Sequence, residues 1–446
     1  MKINFIKLLY EEENDMKNNK GITLVALVGT IVVLLILAGV SINLVLGNNG
    51  IIAKAQEAKT KSAEASENDL KGMNSLIEQM ESTLNGSGNG GKTEPETVPY
   101  LPSDDFHYDT STSVDTGLVI KDASGNEYVW VVVPRTTAVY KITGLGKTAF
   151  TDADYTSIEK DLKDYTSTYV TEEGYSDTWY ADDQNEGWLS ETEYKTLKNS
   201  MLKSVYENGG FYVGRYEAGI GTNRTSNTDK NSEEKYITPS TALVTKADAY
   251  PYTWVTRTQA QNLASNVNSG TKTSSLMFGV QWDLVLAFMH NKGTIADSTL
   301  TSNSTTIGNY CNSTFQLSQT GKYATLSNRT LSSTWNIATA ATANFVDSSR
   351  NKIAHPYGDG ILVTTGTSEQ SKVMNIYDIA GNVWEWTLES FYDRYDRVPF
   401  AYRGGSCDYD GVSSPAAYHA TFRQLPAAIL VFVSHFGRPE PWMLEL

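Results

Sequence analysis

The chain has 446 residues, enough for two or three folded units with sizeable cores. Its 36 Lys and Arg against 51 Asp and Glu leave a formal charge of -15 and a pI near 4.9, which excludes nucleic acid as a partner because no positive field would hold a phosphate backbone. Two cysteines, Cys311 and Cys407, exclude a disulfide-dense scaffold and a cysteine-rich metal cluster, and five scattered histidines offer no i, i+4 metal-binding pair.

Residues 22–46 form a run of 25 without a charge, longer than the ~20 apolar residues a helix needs to cross a bilayer. In lipid the backbone must satisfy its own polar groups, so the run reads as one transmembrane helix behind a cytoplasmic leader, residues 1–21. A cleaved secretory signal is the competing reading; the length of the run and the Gly47-Asn48-Asn49-Gly50 that follows it argue against cleavage there. Lys20-Gly21-Ile22-Thr23-Leu24-Val25 resembles the type IV prepilin signal. The resemblance implies peptidase cleavage between Gly21 and Ile22, with the helix kept on the mature chain. Ala26 stands where pilins carry a glutamate, so anchoring rather than filament assembly is expected, and Met16 is an alternative start to Met1.

Leu70, Met73, Ile77, Met80 and Leu84 alternate at spacings of three and four, which predicts a helical stalk over residues 51–84, packed on its own domain or self-associating. Residues 85–106, with NGSGNGG and three prolines, read as a flexible linker. The head follows as residues 107–446, of α+β class. Gly117 to Ile120, a turn at Ser124-Gly125-Asn126, and Tyr128 to Val133 predict a hairpin. Residues 151–194 carry 13 acidic and two basic residues and read as an acidic surface insertion. Gly210 to Glu217 predicts a strand, and Gln259 to Val267 and Trp282 to His290 predict short helices.

GRYEAG at Gly214 to Gly219, the helix with Trp282, NIYDIAGNVWEW at Asn375 to Trp386 and YRGGS at Tyr402 to Ser406 occur in order. In that order they resemble the formylglycine-generating-enzyme-like branch of the C-type lectin fold, over residues 207–438. The resemblance implies a C-type lectin-like head and allows Asn382 and Glu385 to supply oxygens to a calcium ion, with no cofactor required. Trp384 and Trp386 are expected as core. Enzymes of that family depend on a pair of nearby cysteines in the last segment, whereas here Cys407 stands there with Cys311 96 residues earlier, so no enzyme is expected unless folding brings the two together. Ser406, Asp408 and His419 lack the context of a catalytic triad.

Residues 398–436 resemble the variable region of proteins diversified by retroelements, which present mutable side chains on a lectin-like fold. The resemblance implies a binding protein whose ligand-facing residues are Cys407, Asp408, Tyr409, Asp410, Tyr418, His419, Thr421, Phe422, Leu425, Ile429, Leu430, Phe432 and His435. A buried strand is the competing reading for Ile429 to Val433. The expectation is a single-pass receptor of the bacterial cell surface with its head outside and an unidentified protein or cell-surface ligand as partner. A pilin-like subunit with a lectin-like cap stands second, and a formylglycine-generating oxidase third.

Overall fold

The computed structural model describes residues 99–170, 174–181, 187–223, 241–342, 344–391 and 400–421, with the backbone of 429–430 and 433–436. All belong to one compact unit, residues 91–446. The leader, the 22–46 run with Gly21 and Ile22 at its edge, and the 51–84 stalk lie outside the described residues, as do Phe422, Leu425 and Phe432. Among the described residues no helix is long and apolar enough to cross a membrane.

The architecture is α+β with almost wholly antiparallel sheets. β1 (His107–Tyr108), β2 (Val119–Lys121) and β3 (Glu127–Val132) contain the expected hairpin, with Val119 opposite Val129 and Lys121 opposite Glu127. Asp122 closes its turn by accepting from the Asn126 backbone and side chain, both at 2.8 Å.

The acidic stretch is partly helical, with its acidic side chains mainly outward. Thr151 and Asp154 exchange side-chain to backbone hydrogen bonds and start α1 (Asp152–Tyr165), which buries Ile158 and Leu162. Acidic side chains occupy its outer face, while Asp161 turns inward and accepts from the Ile142 and Thr143 N–H groups at 2.9 and 2.8 Å. β4 (Tyr175–Ser176) follows, then α2 (Glu191–Asn208), capped by Ser190 and Glu193 and ended by Gly209 at φ +69°. The described parts of the stretch, 151–170, 174–181 and 187–194, therefore pack on the core, and partners elsewhere in the chain absorb their inward-facing charges.

β5 (Gly210–Gly214) is buried throughout, and β6 (Gly219–Ile220) pairs with β7 (Tyr250–Pro251). The two expected helices are α3 (Arg257–Ser265), which begins earlier than the periodicity alone suggests because Thr256 caps it, and α4 (Gly279–Asn291). Between them lies β8 (Thr273–Leu276), and after them α5 (Asp297–Thr301). Trp282 on α4 is wholly buried with Phe211, Tyr212 and Trp130, and each such side chain contributes roughly 2–3 kcal/mol of hydrophobic burial.

The remaining strands are β9 (Lys322–Ser327), β10 (Thr330–Ile337), β11 (Gly360–Val363), β12 (Trp384–Phe391), β13 (Phe400–Arg403), β14 (His419–Thr421), β15 (Ile429–Leu430) and β16 (Val433–Phe436). The largest sheet runs β1-β2-β3-β5-β16-β8, and two smaller ones run β10-β9-β11 and β14-β13-β12-β15, with β4 also on β12. β15 runs parallel to β12 with Ile429 opposite Trp384 and Leu430 opposite Glu385, and β16 places His435 between Tyr212 and Ser274. The tail thus contributes two strands, β15 inside the Ile429 to Val433 run and β16 from Val433 onward.

Candidate functional site

Two tight turns build the site. Gly381 adopts φ +72°, and a Cβ there would lie 2.3 Å from the Asn309 carbonyl, so only glycine fits. Asn382 then ties three segments: its Oδ1 accepts from Asn309 Nδ2 at 2.9 Å and from the Val363 N–H at 3.0 Å, and its Nδ2 donates to Glu217 Oε2 at 2.7 Å. Gly404 and Gly405, at φ +88° and +87°, fold the chain back after β13. The fold-back sets Ser406 to Tyr409 beside Trp384.

Between these turns lies a cleft of about 230 Å³, whose lining includes Trp254, Trp384, Tyr402, Asp408, Tyr409 and Arg329. The Tyr402 and Tyr409 rings stand 4.8 and 5.4 Å from the Trp384 ring at interplanar angles of 72° and 78°, and Tyr418 lies 5.9 Å away. Tyr357, 55% exposed, meets Tyr409 edge-on at 5.1 Å. The Arg329 guanidinium lies 4.5 Å from the Tyr357 ring centre and 5.5 Å from that of Tyr409. Its Nε is 3.8 Å from Asp408 Oδ2, while the Ser406 hydroxyl donates to Asp408 Oδ1 at 2.5 Å.

Several residues expected to face a ligand meet at this cleft. Cys407 forms its floor, Asp408 and Tyr409 its half-buried wall, and Tyr418 its flank. Asp410 is half-buried but occupied, accepting from the Val412 and Ser413 N–H groups at 3.0 and 2.8 Å. Thr421 is exposed at the end of β14. His419 is a correction: it is 1% exposed, with Nε2 2.5 Å from Arg403 Nη1 and 3.4 Å from Glu389 Oε1. Arg403 in turn pairs with Asp283 of α4 and, at 3.0 Å, with Glu389 of β12. Burial pushes the Glu389 carboxyl up, but His419 and Arg403 outweigh it and hold the group at about 2. This buried ionic cluster fastens β13 and β14 to the core beneath the cleft.

Trp386 is core, donating its indole N–H to the Val255 carbonyl at 3.0 Å, whereas Trp384 serves both packing and the cleft. Asn382 and Glu385 do not fit a calcium ion as a pair, since two N–H groups already occupy the Asn382 oxygen. Glu385 is wholly buried with neither carboxyl oxygen hydrogen-bonded to another described residue, and burial pushes its carboxyl far up, with Glu217 and Asp378 adding to the rise.

Folding does bring the two cysteine segments together. The Cys311 N–H donates to the Tyr409 carbonyl at 2.8 Å, and a Cβ on Gly360 would sit 2.5 Å from the Cys407 oxygen and 3.8 Å from the Cys311 Cα. Both thiols are free and buried, and burial pushes both upward, away from the reactive thiolate. Ser406 donates to Asp408 while His419 is engaged by Glu389 and Arg403, so these three form no proton relay.

Sequence reasoning missed Trp254, Arg329 and Tyr357, which come from segments outside the quoted motifs. No protein-family model matches the chain, and no curated protein matches it.

Proposed function

We propose that this chain is a membrane-anchored, surface-displayed binding protein whose C-type lectin-like head, of the formylglycine-generating-enzyme-like kind, recognises a protein or cell-surface ligand through a retroelement-diversified segment at residues 398–436. The reading involves no catalysis and requires no cofactor. One observation carries it: Cys407, Asp408 and Tyr409, all in that segment, line one aromatic cleft with Trp384, and Tyr418 flanks it. Aromatic side chains around a shallow pocket are the groups that dominate binding energy at interfaces, since they bury large area at small entropic cost. The ionic cluster at Arg403 and the ties of Asn382 make the scaffold beneath the cleft rigid, so residues at its mouth can change without loss of the fold.

Sequencing the 3′ end of the gene and its flanking DNA across a population tests the reading. Substitutions should fall at adenine-containing codons for Asp408, Tyr409 and Tyr418 and spare those for Trp384, Arg403 and Gly404, beside a template copy and a reverse transcriptase. A tail identical in every isolate, with no template nearby, would overturn it.

A further inference from the structure

We propose that Arg329 is the scaffold's fixed anion contact in the cleft, so that the ligand presents a carboxylate next to an apolar or aromatic group, as at an acidic residue beside an aromatic one in a partner polypeptide. The inference rests on the reading of the cleft as the ligand site and adds the chemistry of what enters it.

The first observation is the backbone. Asn328 and Arg329 form the two-residue turn between β9 and β10, at φ +48° and +60°, with Ser327 opposite Thr330. Such a turn favours asparagine followed by glycine, because the second position is left-handed. Arginine there costs conformational energy that the turn itself does not need, and residues held in sparsely populated conformations concentrate at functional sites. The second observation is where the side chain goes. It is half exposed, and its guanidinium lies within cation–π distance of Tyr357 and Tyr409 at the cleft wall. The third is its unsatisfied donor capacity. A guanidinium carries five N–H donors in a planar fork. Among the described residues its polar neighbours are Asp408 at 3.8 Å and the Tyr409 hydroxyl at 3.5 Å, both longer than a charge-assisted hydrogen bond. Two ring faces therefore hold a fork engaged, among the described residues, by only one long hydrogen bond, to Tyr409, and one loose ion pair, to Asp408, which leaves donor capacity for a ligand carboxylate.

The chain's charge of -15 does not reverse this preference, because at physiological ionic strength exposed charges beyond about 8 Å are largely screened and the contact is local. Aromatic rings 4.8 and 5.4 Å from Trp384 then accept the apolar part of the ligand. Arg329 lies outside residues 398–436, so it would supply a constant contact beside the mutable ones.

The test uses the full chain in detergent with two probes of one shape and opposite charge, phenylacetate and phenethylammonium, titrated by saturation-transfer NMR. Arg329→Gly removes the fork and gives the turn its preferred residue, so the variant should melt at or above the parent temperature. The expected result is saturable phenylacetate binding in the parent that weakens at least tenfold in Arg329→Gly, with phenethylammonium weaker than phenylacetate in the parent. Phenethylammonium binding as tightly as phenylacetate, unaffected by Arg329→Gly but weakened by Tyr409→Leu, would overturn the anion contact and leave the cleft as the ligand site. Absence of binding by either probe would overturn the inference together with the cleft as a site for small apolar groups.

Discussion

Arg403 shows how one residue of the RGGS motif holds the ground on which the cleft stands. Its guanidinium is fully buried between Asp283 and Glu389, with His419 alongside. Buried charges are expensive unless paired, so removing the cation strands two carboxylates in the interior. Arg403→Met should cost about 3–5 kcal/mol of unfolding free energy in urea denaturation, and Arg403→Lys should recover part of it, because an ammonium cannot bridge both acids as a fork does. A loss below about 1 kcal/mol for Arg403→Met would show that the cluster does not fasten β13. The Glu389 carboxyl, held at about 2, contributes stability that is present above the usual glutamate range and is lost as pH falls toward 2. His419 belongs to this cluster, and its neighbourhood is what sequence could not show: its partners Glu389 and Arg403 come from β12 and β13, and Arg403 reaches on to Asp283 of α4.

Among the elements, α4 depends on a residue 102 positions earlier in the chain. Its N-cap is Phe278, which has no side-chain oxygen to offer, and the Gly279 and Val280 N–H groups donate instead to the Asp177 carboxylate at 2.7 and 3.1 Å. Burial raises Asp177 from 3.8 to about 6, with Lys163 opposing and Glu389 adding. The folded state therefore binds this proton more tightly than the unfolded chain, and stability from this group falls as pH rises from about 4 through 6, by about 3 kcal/mol at most. In Asp177→Asn that fall should disappear, so the difference in unfolding free energy between variant and parent should change between pH 4 and 7; a constant difference would show that Asp177 does not titrate in this range. The same contact explains which elements were legible. The hairpin at Val119 to Val132 and the helices α3 and α4 announce themselves through local alternation, periodicity and a capping threonine. The acidic stretch announced itself less, since beyond the caps at Thr151 and Ser190 its packing comes from distant partners: Asp177 accepts from the start of α4, and the Tyr194 hydroxyl donates to the Leu388 carbonyl at 2.7 Å. The cleft was half legible for the same reason, its motif-borne wall visible in GNVWEW and RGGS and its Arg329 wall, with Tyr357 packed against Tyr409 beside it, presented by turns with no motif of their own.

At the scale of the molecule, the large sheet is closed by β16, which pairs with β5 on one side and β8 on the other, Ser434 lying opposite both Val213 and Ser275. Without it the sheet divides into β1-β2-β3-β5 and an isolated β8, and each new edge presents unpaired backbone donors and acceptors. Pairing residues more than 200 positions apart carries a loop-closure cost met only once the rest of the sheet stands, so this strand joins late and slowly. A chain ending at Thr421 should therefore lose its cooperative thermal transition and bind hydrophobic dyes, while retaining helical circular dichroism from α1, α2 and α4. If the shortened chain instead melts as one transition at the parent temperature, β16 is dispensable to the core. If the proposed diversification holds, the position of β16 limits how far it can run. Positions 433–436 supply the backbone that joins the two parts of the sheet, whereas Asp408 and Tyr409 line the cleft. On that proposal, change at the cleft costs little stability, whereas the same chemical freedom at β16, an interior strand of the sheet, would cost the fold.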